Sequence, residues 1–147
     1  MTPRELLLGG FRAAVASVQA TAVLPPHLPE SRPRDGRLLV IGAGKAAAAM
    51  AACVEAERPE SDLSGLVITR HGHGVPTRRI EVVEAGHPLP DAAGQSAALR
   101  LLDLVRAANP ADQVLALISG GGSSLLSLPV DGISLTEIQR VKIGRAS

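Results

Sequence analysis

The sequence predicts an α/β fold in which a largely parallel sheet is flanked by helices. Three observations lead to this prediction. Short apolar runs alternate along the chain with segments of helical periodicity, which is typical of parallel sheets. Glycine-bearing turns follow three of these apolar runs, where a strand would end. The length of 147 residues corresponds to about one domain.

Four apolar runs are the predicted strands, and they cover residues 38–41, 65–69, 80–85 and 113–119. Only ten residues separate the second run from the third, which is near the minimum length of a helical crossover. The sequence therefore does not predict whether these two strands pair with each other.

Helices are expected between and around the strands. Apolar residues at helical spacing predict a first helix over residues 3–20, and the four prolines in residues 24–36 predict a loop after it. Alanine-rich residues 46–57 favour a second helix. A third helix is expected from Asp91, a candidate N-cap, to about Asn109. The segment from Asp131 onwards begins like a turn followed by a helix.

Composition narrows the class of protein. The formal net charge of +1 gives no reason to expect a nucleic-acid or membrane partner. No apolar run reaches the roughly 18 residues of a membrane span. The single cysteine, Cys53, excludes an internal disulfide and suits a reducing compartment. Phe11 is the only aromatic residue, which argues against stacking of nucleic-acid bases. We therefore expect a cytoplasmic protein.

Three glycine-bearing segments follow predicted strands, and they read GAGKA, EAGHPLPDAAG and SGGGSS. Ligands of parallel α/β sheets bind beyond the carboxyl ends of the strands, so these segments predict one shared site. A turn with little side chain presents backbone N–H groups and a helix N-terminus, which suits a phosphate. Each glycine can equally serve only to permit a tight turn.

Lys45 stands inside the first of these turns. The chain has thirteen arginines but only two lysines, Lys45 and Lys142, so a lysine in a glycine turn indicates a need for its compact ammonium group. The stretch GAGKAA also fits the dinucleotide fingerprint, although Thr69 and Arg70 replace the acidic residue expected after the second strand. It is not a Walker A loop, because Ala46 occupies the position of the magnesium-binding hydroxyl.

The segment SGGGSS favours an anion site over a flexible linker, since apolar residues lie on both sides of it and two hydroxyls follow the glycines. His71 and His73 make a weak metal pair, because they lack helical i, i+4 spacing and have no acidic or cysteine ligand near them in sequence. His87 and Asp91 form a better polar pair, and Asp91 can also cap the helix that follows.

Four motifs, in order and spacing, resemble the glycerate 2-kinase family, a class formerly named hydroxypyruvate reductases; they read LLVIGAGKAA, GLVITRHGHG, VEAGHPLPDAAG and LISGGGSSLL. The resemblance extends from about Arg4 to Ile133. It implies a Rossmann-like N-terminal domain with an active site in the cleft towards a smaller C-terminal domain. It also implies ATP-dependent phosphorylation of D-glycerate to 2-phosphoglycerate, with magnesium as a cofactor.

The resemblance assigns roles to individual residues. Lys45 matches the lysine considered catalytic in the family. His71 stands where the family usually has an aromatic residue. No metal ligand is assigned to this chain. The residues expected to bind substrate or phosphate are Gly42, Gly44, His73, His87, Asp91, Ser119, Gly120, Gly121, Gly122, Ser123 and Ser124.

Members of the family are much longer than this chain. We therefore expect residues 1–147 to be an incomplete N-terminal domain, with a helix over 3–20, an α/β core over 38–128 and no C-terminal domain. The expected consequences are little kinase activity and marginal stability for the chain alone. Two alternatives stay open, namely an NAD(P)H-dependent hydroxypyruvate reductase and a non-catalytic phosphate-binding remnant. The sequence predicts no oligomeric state.

Overall fold

The computed structural model describes residues 1–29, 36–59 and 62–144. Within them, four strands form a single sheet in the order β3-β2-β1-β4, and every neighbouring pair is parallel. The strands are β1 (Leu38–Ala43), β2 (Leu63–Arg70), β3 (Ile80–Ala85) and β4 (Gln113–Ile118). This confirms the predicted α/β class with a parallel sheet and flanking helices.

The helices occur where the periodicity places them, with some changes at their ends. They are α1 (Pro3–Ser17), α2 (Ala20–Val23), α3 (Ala47–Glu57), α4 (Ala92–Arg106), α5 (Gly122–Leu125) and α6 (Leu135–Gly144), and a short 3₁₀ turn covers Pro25–His27. Of the helices described, none combines the length and apolar character needed to cross a membrane. Part of the predicted proline loop, residues 30–35, and the last residues, 145–147, lie outside the described residues.

Several predicted boundaries were wrong, among them the start of the strand expected over 65–69, which begins at Leu63. The helix expected over 3–20 ends at Ser17, whose hydroxyl donates to the carbonyl of Ala14 at 2.8 Å, and Val18 leaves helical geometry. The strand expected over 38–41 continues to Ala43 because β1 pairs with a neighbour on both sides along its whole length. The helix expected to reach Asn109 ends at Arg106.

Strands β2 and β3, whose pairing the sequence left open, lie side by side in parallel register. The connection between them, residues 71–79, contains no helix and is here called the histidine loop. Its end is held by Glu55 of α3, whose carboxylate accepts the N–H groups of Arg78, Arg79 and Ile80 at 2.7–2.8 Å. One carboxylate therefore satisfies three backbone donors of a crossover too short to form a helix.

The core has two layers, one on each face of the sheet. Small side chains let α3 pack closely on the first face, where the buried residues include Leu38, Val40, Ala47, Ala51, Val54, Val67, Ile80 and Leu117. Helices α4 and α5 cover the second face, where the buried residues are Ala43, Leu66, Ile68, Ala85, Ala97, Leu101 and Leu125. As the composition predicts, aliphatic side chains fill both layers.

Two apolar surfaces remain exposed in the described part of the chain. Helix α1 buries none of its residues, and Leu7 and Phe11 are 74% and 67% exposed. On the second face of the sheet, β4 leaves Val114 and Ile118 exposed. The second face is therefore covered over β2 and β3 and open at β4.

Candidate functional site

The three glycine-bearing segments meet at the carboxyl edge of the sheet. The lysine turn (residues 44–46) follows β1, the 86–91 loop follows β3, and the glycine loop (residues 119–122) follows β4. Strand β4 lies directly beside β1, so the glycine loop and the lysine turn are neighbours. The 86–91 loop reaches them by a hydrogen bond from the hydroxyl of Ser124, just beyond the glycine loop, to the carbonyl of Pro88 at 2.8 Å.

The lysine turn is bonded to the glycine loop through its backbone. The N–H of Lys45 donates to the carbonyl of Gly120 at 2.9 Å, and the N–H of Ala46 donates to the hydroxyl oxygen of Ser119 at 3.0 Å. The next N–H, of Ala47, donates to the carbonyl of Gly44 at 3.1 Å. The expectation that this turn presents free N–H groups to a phosphate is therefore wrong, because its donors already have partners.

The two glycines around the lysine turn allow close packing between strands. Gly44 has a φ of +141°, and a Cβ atom there would collide with the hydroxyl and carbonyl of Ser119. Gly42 lies within β1, where a Cβ atom would collide with the carbonyl of Leu117. These contacts account for both glycines, and the phosphate-binding role given to them from the sequence stays a prediction.

The glycine loop does present free donors. Within the described residues, the backbone N–H groups of Gly120 and Gly121 have no hydrogen-bond partner. Gly121 has a φ of +92°, a conformation that glycine adopts without the cost paid by other residues. Free N–H groups on adjacent residues with such a turn form a concave anion-binding backbone.

Two basic side chains border this loop. The methylenes of Lys45 lie along it, since Cβ atoms placed on Gly120 and Gly121 would be 3.8 Å from Lys45 Cε and 3.5 Å from Lys45 Cγ. The imidazole of His87 lies even closer, with Nε2 2.7 Å from the Cβ position of Gly121. The side chain of Lys45 is exposed, and its ammonium group bonds no other described residue. The site therefore combines an unpaired positive charge with free N–H donors.

The two hydroxyls after the glycines have different surroundings. Ser123 is exposed, whereas Ser124 is only 6% exposed. The Ser124 hydroxyl donates to the carbonyl of Pro88 and accepts a hydrogen bond from Lys142 Nζ at 2.7 Å. Nothing in the sequence indicates this contact, since Lys142 stands out there only as the second of two lysines. The fold brings Lys142 from α6 to Ser124, next to the glycine loop.

The histidine loop lies beside the lysine turn. Nδ1 of His73 is 3.4 Å from the carbonyl oxygen of Lys45, which also accepts a hydrogen bond from the Thr69 hydroxyl at 3.4 Å. His71 lies between two acidic residues, with Nε2 3.1 Å from the Asp91 carboxylate and Nδ1 4.0 Å from that of Glu84. His71, at the position where the resemblance expects an aromatic residue, thus links the carboxylates of Asp91 and Glu84.

Asp91 caps α4, as predicted, by accepting the N–H of Gly94 at 2.9 Å. Burial alone would raise the pKa of the Asp91 carboxyl. Hydrogen bonds from backbone N–H groups and from His71 outweigh burial, so the pKa lies below its ordinary value. The pKa of Glu84 is also lowered, because its carboxylate accepts the N–H groups of Gly72 and Gly74.

The acidic groups near the site are thus engaged with backbone donors and with His71. Among the described residues, no group of three or more histidine, cysteine, aspartate or glutamate side chains is placed to hold a metal ion. The described residues therefore fit an anion such as a phosphate or a carboxylate, and they include no group of three side chains that would hold magnesium without further ligands. We derive no step through a metal.

Comparison with known proteins finds a family that matches most of the chain. The family is described as "Domain of unknown function (DUF4147)", and it matches residues 6–143. The chain is also 50% identical, over 141 residues, to a protein of Agrobacterium vitis named "Putative hydroxypyruvate reductase". It is 42% identical, over 106 residues, to a D-glycerate 2-kinase of Thermotoga maritima. These alignments cover 96% and 71% of this chain.

A solved structure has the same fold. The crystal structure of glycerate kinase from Thermotoga maritima matches 97% of this chain with a TM-score of 0.79 and 33% sequence identity. The chain spans only part of each relative, namely 32% of the Agrobacterium vitis protein and 34% of the crystallised kinase. The resemblance that the four motifs predict is confirmed by these relatives.

Proposed function

The chain belongs to the family described as a domain of unknown function, DUF4147, and from this premise we propose that it supplies the anion-binding part of a glycerate 2-kinase site. The proposed reaction is ATP-dependent phosphoryl transfer to D-glycerate, which gives 2-phosphoglycerate. Relatives named as glycerate 2-kinases support the reaction class. The proposal assigns the chain a nucleotide and a small hydroxy acid as its partners, and a cytoplasmic location.

One observation carries the proposal. The unpaired ammonium group of Lys45 projects from a side chain that lies along the glycine loop, where the N–H groups of Gly120 and Gly121 are free among the described residues. In the described part of the chain, no carboxylate forms an ion pair with Lys45. A positive charge next to free N–H donors binds an anion more strongly than either would alone.

The chemistry follows from this arrangement. Phosphoryl transfer depends on positioning and on stabilisation of the negative charge that develops on the transferred group. Lys45 would neutralise that charge, and the N–H groups of Gly120 and Gly121 would hold a phosphate or the substrate carboxylate. His87 lies beside Gly121 and would donate to the same anion. ATP supplies the phosphoryl group when it is bound.

Binding is tested on the chain itself. Inorganic phosphate, D-glycerate and ATP are titrated separately while the amide resonances of the glycine loop are followed by NMR. We expect saturable shifts at Gly120 and Gly121 with at least one of these anions, and much weaker binding by Lys45→Met. Shifts spread evenly over the surface, unchanged in Lys45→Met, would contradict the proposal.

Phosphoryl transfer is tested in a chimaera, because the chain spans only 25% and 34% of the kinase relatives compared above. In the Thermotoga maritima enzyme, the segment that this chain matches is replaced by this chain. We expect ATP-dependent formation of 2-phosphoglycerate by the chimaera and its loss in the Lys45→Met chimaera. A folded chimaera that binds anions without any transfer would instead favour the phosphate-binding remnant. We expect no transfer by the chain alone.

Two observations support the reductase alternative, namely the fit of GAGKAA to the dinucleotide fingerprint and the name of the Agrobacterium vitis relative. The structure gives two arguments against it. The N–H groups of Lys45, Ala46 and Ala47, at the turn into α3 where a dinucleotide pyrophosphate would bind, already donate within the protein. The end of β2 carries Thr69 and Arg70, where a dinucleotide site needs a carboxylate for the ribose. Oxidation of NADH or NADPH by hydroxypyruvate without ATP would overturn our choice.

A further inference from the structure

We propose that Lys142 is a positioning residue of the candidate site, which holds the glycine loop against the 86–91 loop through the hydroxyl of Ser124. The anion affinity that we ascribe to Lys142 rests on the proposed function. The positioning itself can be measured without any ligand.

A continuous chain of hydrogen bonds supports this role. Lys142 Nζ donates to the Ser124 hydroxyl oxygen at 2.7 Å, and that hydroxyl donates to the carbonyl of Pro88 at 2.8 Å. The Ser124 hydroxyl accepts one hydrogen bond through its oxygen and donates its proton in the other, so the two contacts are compatible. An ammonium group can only donate, and its contact directs the hydroxyl proton of Ser124 towards Pro88.

A second contact from the same helix face supports the same segment. Gln139 lies three residues before Lys142 in α6, so both side chains extend from one face of the helix. The Gln139 amide donates to the carbonyl of Pro90 at 2.7 Å. Helix α6 therefore contacts the 86–91 loop twice, directly at Pro90 and through Ser124 at Pro88.

Burial of Ser124 and the charge of Lys142 make this chain of hydrogen bonds costly to break. Ser124 is buried, and a buried hydroxyl that loses a partner is costly. Lys142 forms no ion pair with an acidic side chain in the described part of the chain, so its ammonium group is directed to the hydroxyl alone. Both lysines of the sequence thus lie at the glycine loop, while arginine is the cation used elsewhere.

The consequence for the site concerns His87. Its backbone belongs to the loop that Lys142 and Gln139 hold, and its ring lies against Gly121. If the 86–91 loop separates from the glycine loop, then His87 moves away from the free N–H groups. Lys142 would therefore control the distance between two parts of the anion site without touching the anion.

The experiment compares Lys142→Met, Lys142→Arg and Arg140→Met in the full chain. Met keeps the length of the side chain without its charge, and Arg keeps a donor. Arg140 is an exposed cation of the same helix with no contact to the loops, so Arg140→Met is the matched control. Amide hydrogen exchange is measured without ligand at Ser124 and Leu126, whose N–H groups bond the carbonyls of Gly121 and Gly122.

We expect Lys142→Met to speed exchange at these amides by at least about fivefold, in line with the loss of a hydrogen bond from a charged group. Exchange at Val67 in the sheet should stay unchanged, which separates local positioning from a general loss of stability. Lys142→Arg should restore most of the protection. Unchanged exchange at Ser124, or an equal increase at Val67, would overturn the inference.

A double-mutant cycle gives an independent test. If Lys142 acts through Ser124, then Lys142→Met should have no further effect on exchange at Leu126 in a Ser124→Ala background. Additive effects would mean that Lys142 acts elsewhere. Phosphate affinity is then measured for each variant, and we expect about a fivefold loss in Lys142→Met. If the wild-type chain binds no anion, the proposed function fails, and the exchange data still decide the role of Lys142.

Discussion

The imidazole of His87 lies against the backbone of Gly121, so close that a Cβ atom on Gly121 would be 2.7 Å from His87 Nε2. This contact joins the loop after β3 to the loop after β4. Strands β3 and β4 are the two edge strands of the sheet. Gly121 also has a φ of +92°. Two independent constraints, the backbone conformation and the neighbouring ring, therefore favour glycine at this position.

Gly121→Ala should destabilise the protein and displace His87. The left-handed conformation alone costs an alanine about 1–2 kcal/mol, and the collision with the ring adds to it. Urea unfolding monitored by circular dichroism measures the loss of stability. The ring resonances of His87, followed by NMR, report its displacement.

Gly132→Ala is the matched control for this prediction. Gly132 has a φ of +86°, and a Cβ atom there would meet nothing within 4 Å. Its substitution should therefore cost only the backbone strain, about 1–2 kcal/mol, and leave His87 in place. Equal losses of stability for the two variants, with unmoved His87 resonances in both, would show that the ring contact has no energetic weight.

Lys45→Arg should bind phosphate less tightly than the wild-type chain, although it keeps the charge. The lysine side chain fits along Gly120 and Gly121 with contacts of 3.5–3.8 Å to their Cβ positions. A planar guanidinium is broader than an ammonium group and less easily fitted to a single point in a tight turn. Titration calorimetry with inorganic phosphate should show an affinity about tenfold lower, with Lys45→Met weaker still.

Arg12→Met provides the comparison for charge alone. Arg12 lies on α1, whose residues are all exposed, and it has no contact with the site. This variant removes the same formal charge as Lys45→Met and should leave phosphate affinity unchanged. A similar loss of affinity in both variants would indicate attraction by net charge, without a specific role for Lys45.

Local signals in the sequence predict much of this fold. The strands follow from short apolar runs, and the cap of α4 follows from Asp91, because both depend on residues close together in the chain. The gathering of the glycine turns follows from a general property of parallel sheets. These predictions needed only neighbouring residues and the direction of the strands.

Other features depend on contacts between distant residues. The connection between β2 and β3 is held at its end by Glu55, which lies 23–25 residues before the N–H groups that it accepts. The donors of the lysine turn are used by Ser119 and Gly120, more than 70 residues away. Ser124 looked like a donor for an anion, and it is instead bonded to Pro88 and Lys142. No local pattern encodes such partners.

Glu55→Gln should destabilise the connection between β2 and β3. The carboxylate accepts three backbone N–H groups, and an amide offers one oxygen where the carboxylate offers two. The expected loss is about 1–3 kcal/mol, since three backbone donors, two of them in partly buried hydrogen bonds, would lose a charged partner. The increase in hydrogen exchange should be largest at Arg78, Arg79 and Ile80.

The effect of Glu55 should depend on pH. Burial alone would raise the pKa of its carboxyl, but the three N–H groups outweigh burial and lower it. A lowered pKa stabilises the folded state above the unfolded pKa of about 4.3, and this contribution is lost as the pH falls. The difference between wild type and Glu55→Gln should therefore shrink from pH 6 to pH 3. Glu57→Gln, an exposed change two residues away, should show little difference at any pH.

Asp91 has two functions that substitutions can separate, since it caps α4 through Gly94 and faces His71 at 3.1 Å. Asp91→Ser keeps an oxygen that can accept the N–H of Gly94 but removes the negative charge. Asp91→Ala removes both the acceptor oxygen and the charge. Loss of the cap should cost about 1 kcal/mol, so Ala should be less stable than Ser at pH 7.

Because the pKa of Asp91 is lowered in the folded state, its charge stabilises the protein above the unfolded pKa of about 3.9, and this contribution disappears as the pH falls. Both variants should therefore approach the stability of the wild type at low pH, except for the cap that Ala still lacks. Urea unfolding at pH 2 and pH 7 measures this, because the contribution is lost only as the pH falls through the lowered pKa of the folded state. A gap between wild type and Asp91→Ser that persists unchanged at pH 2 would show that the carboxylate charge does not stabilise the fold.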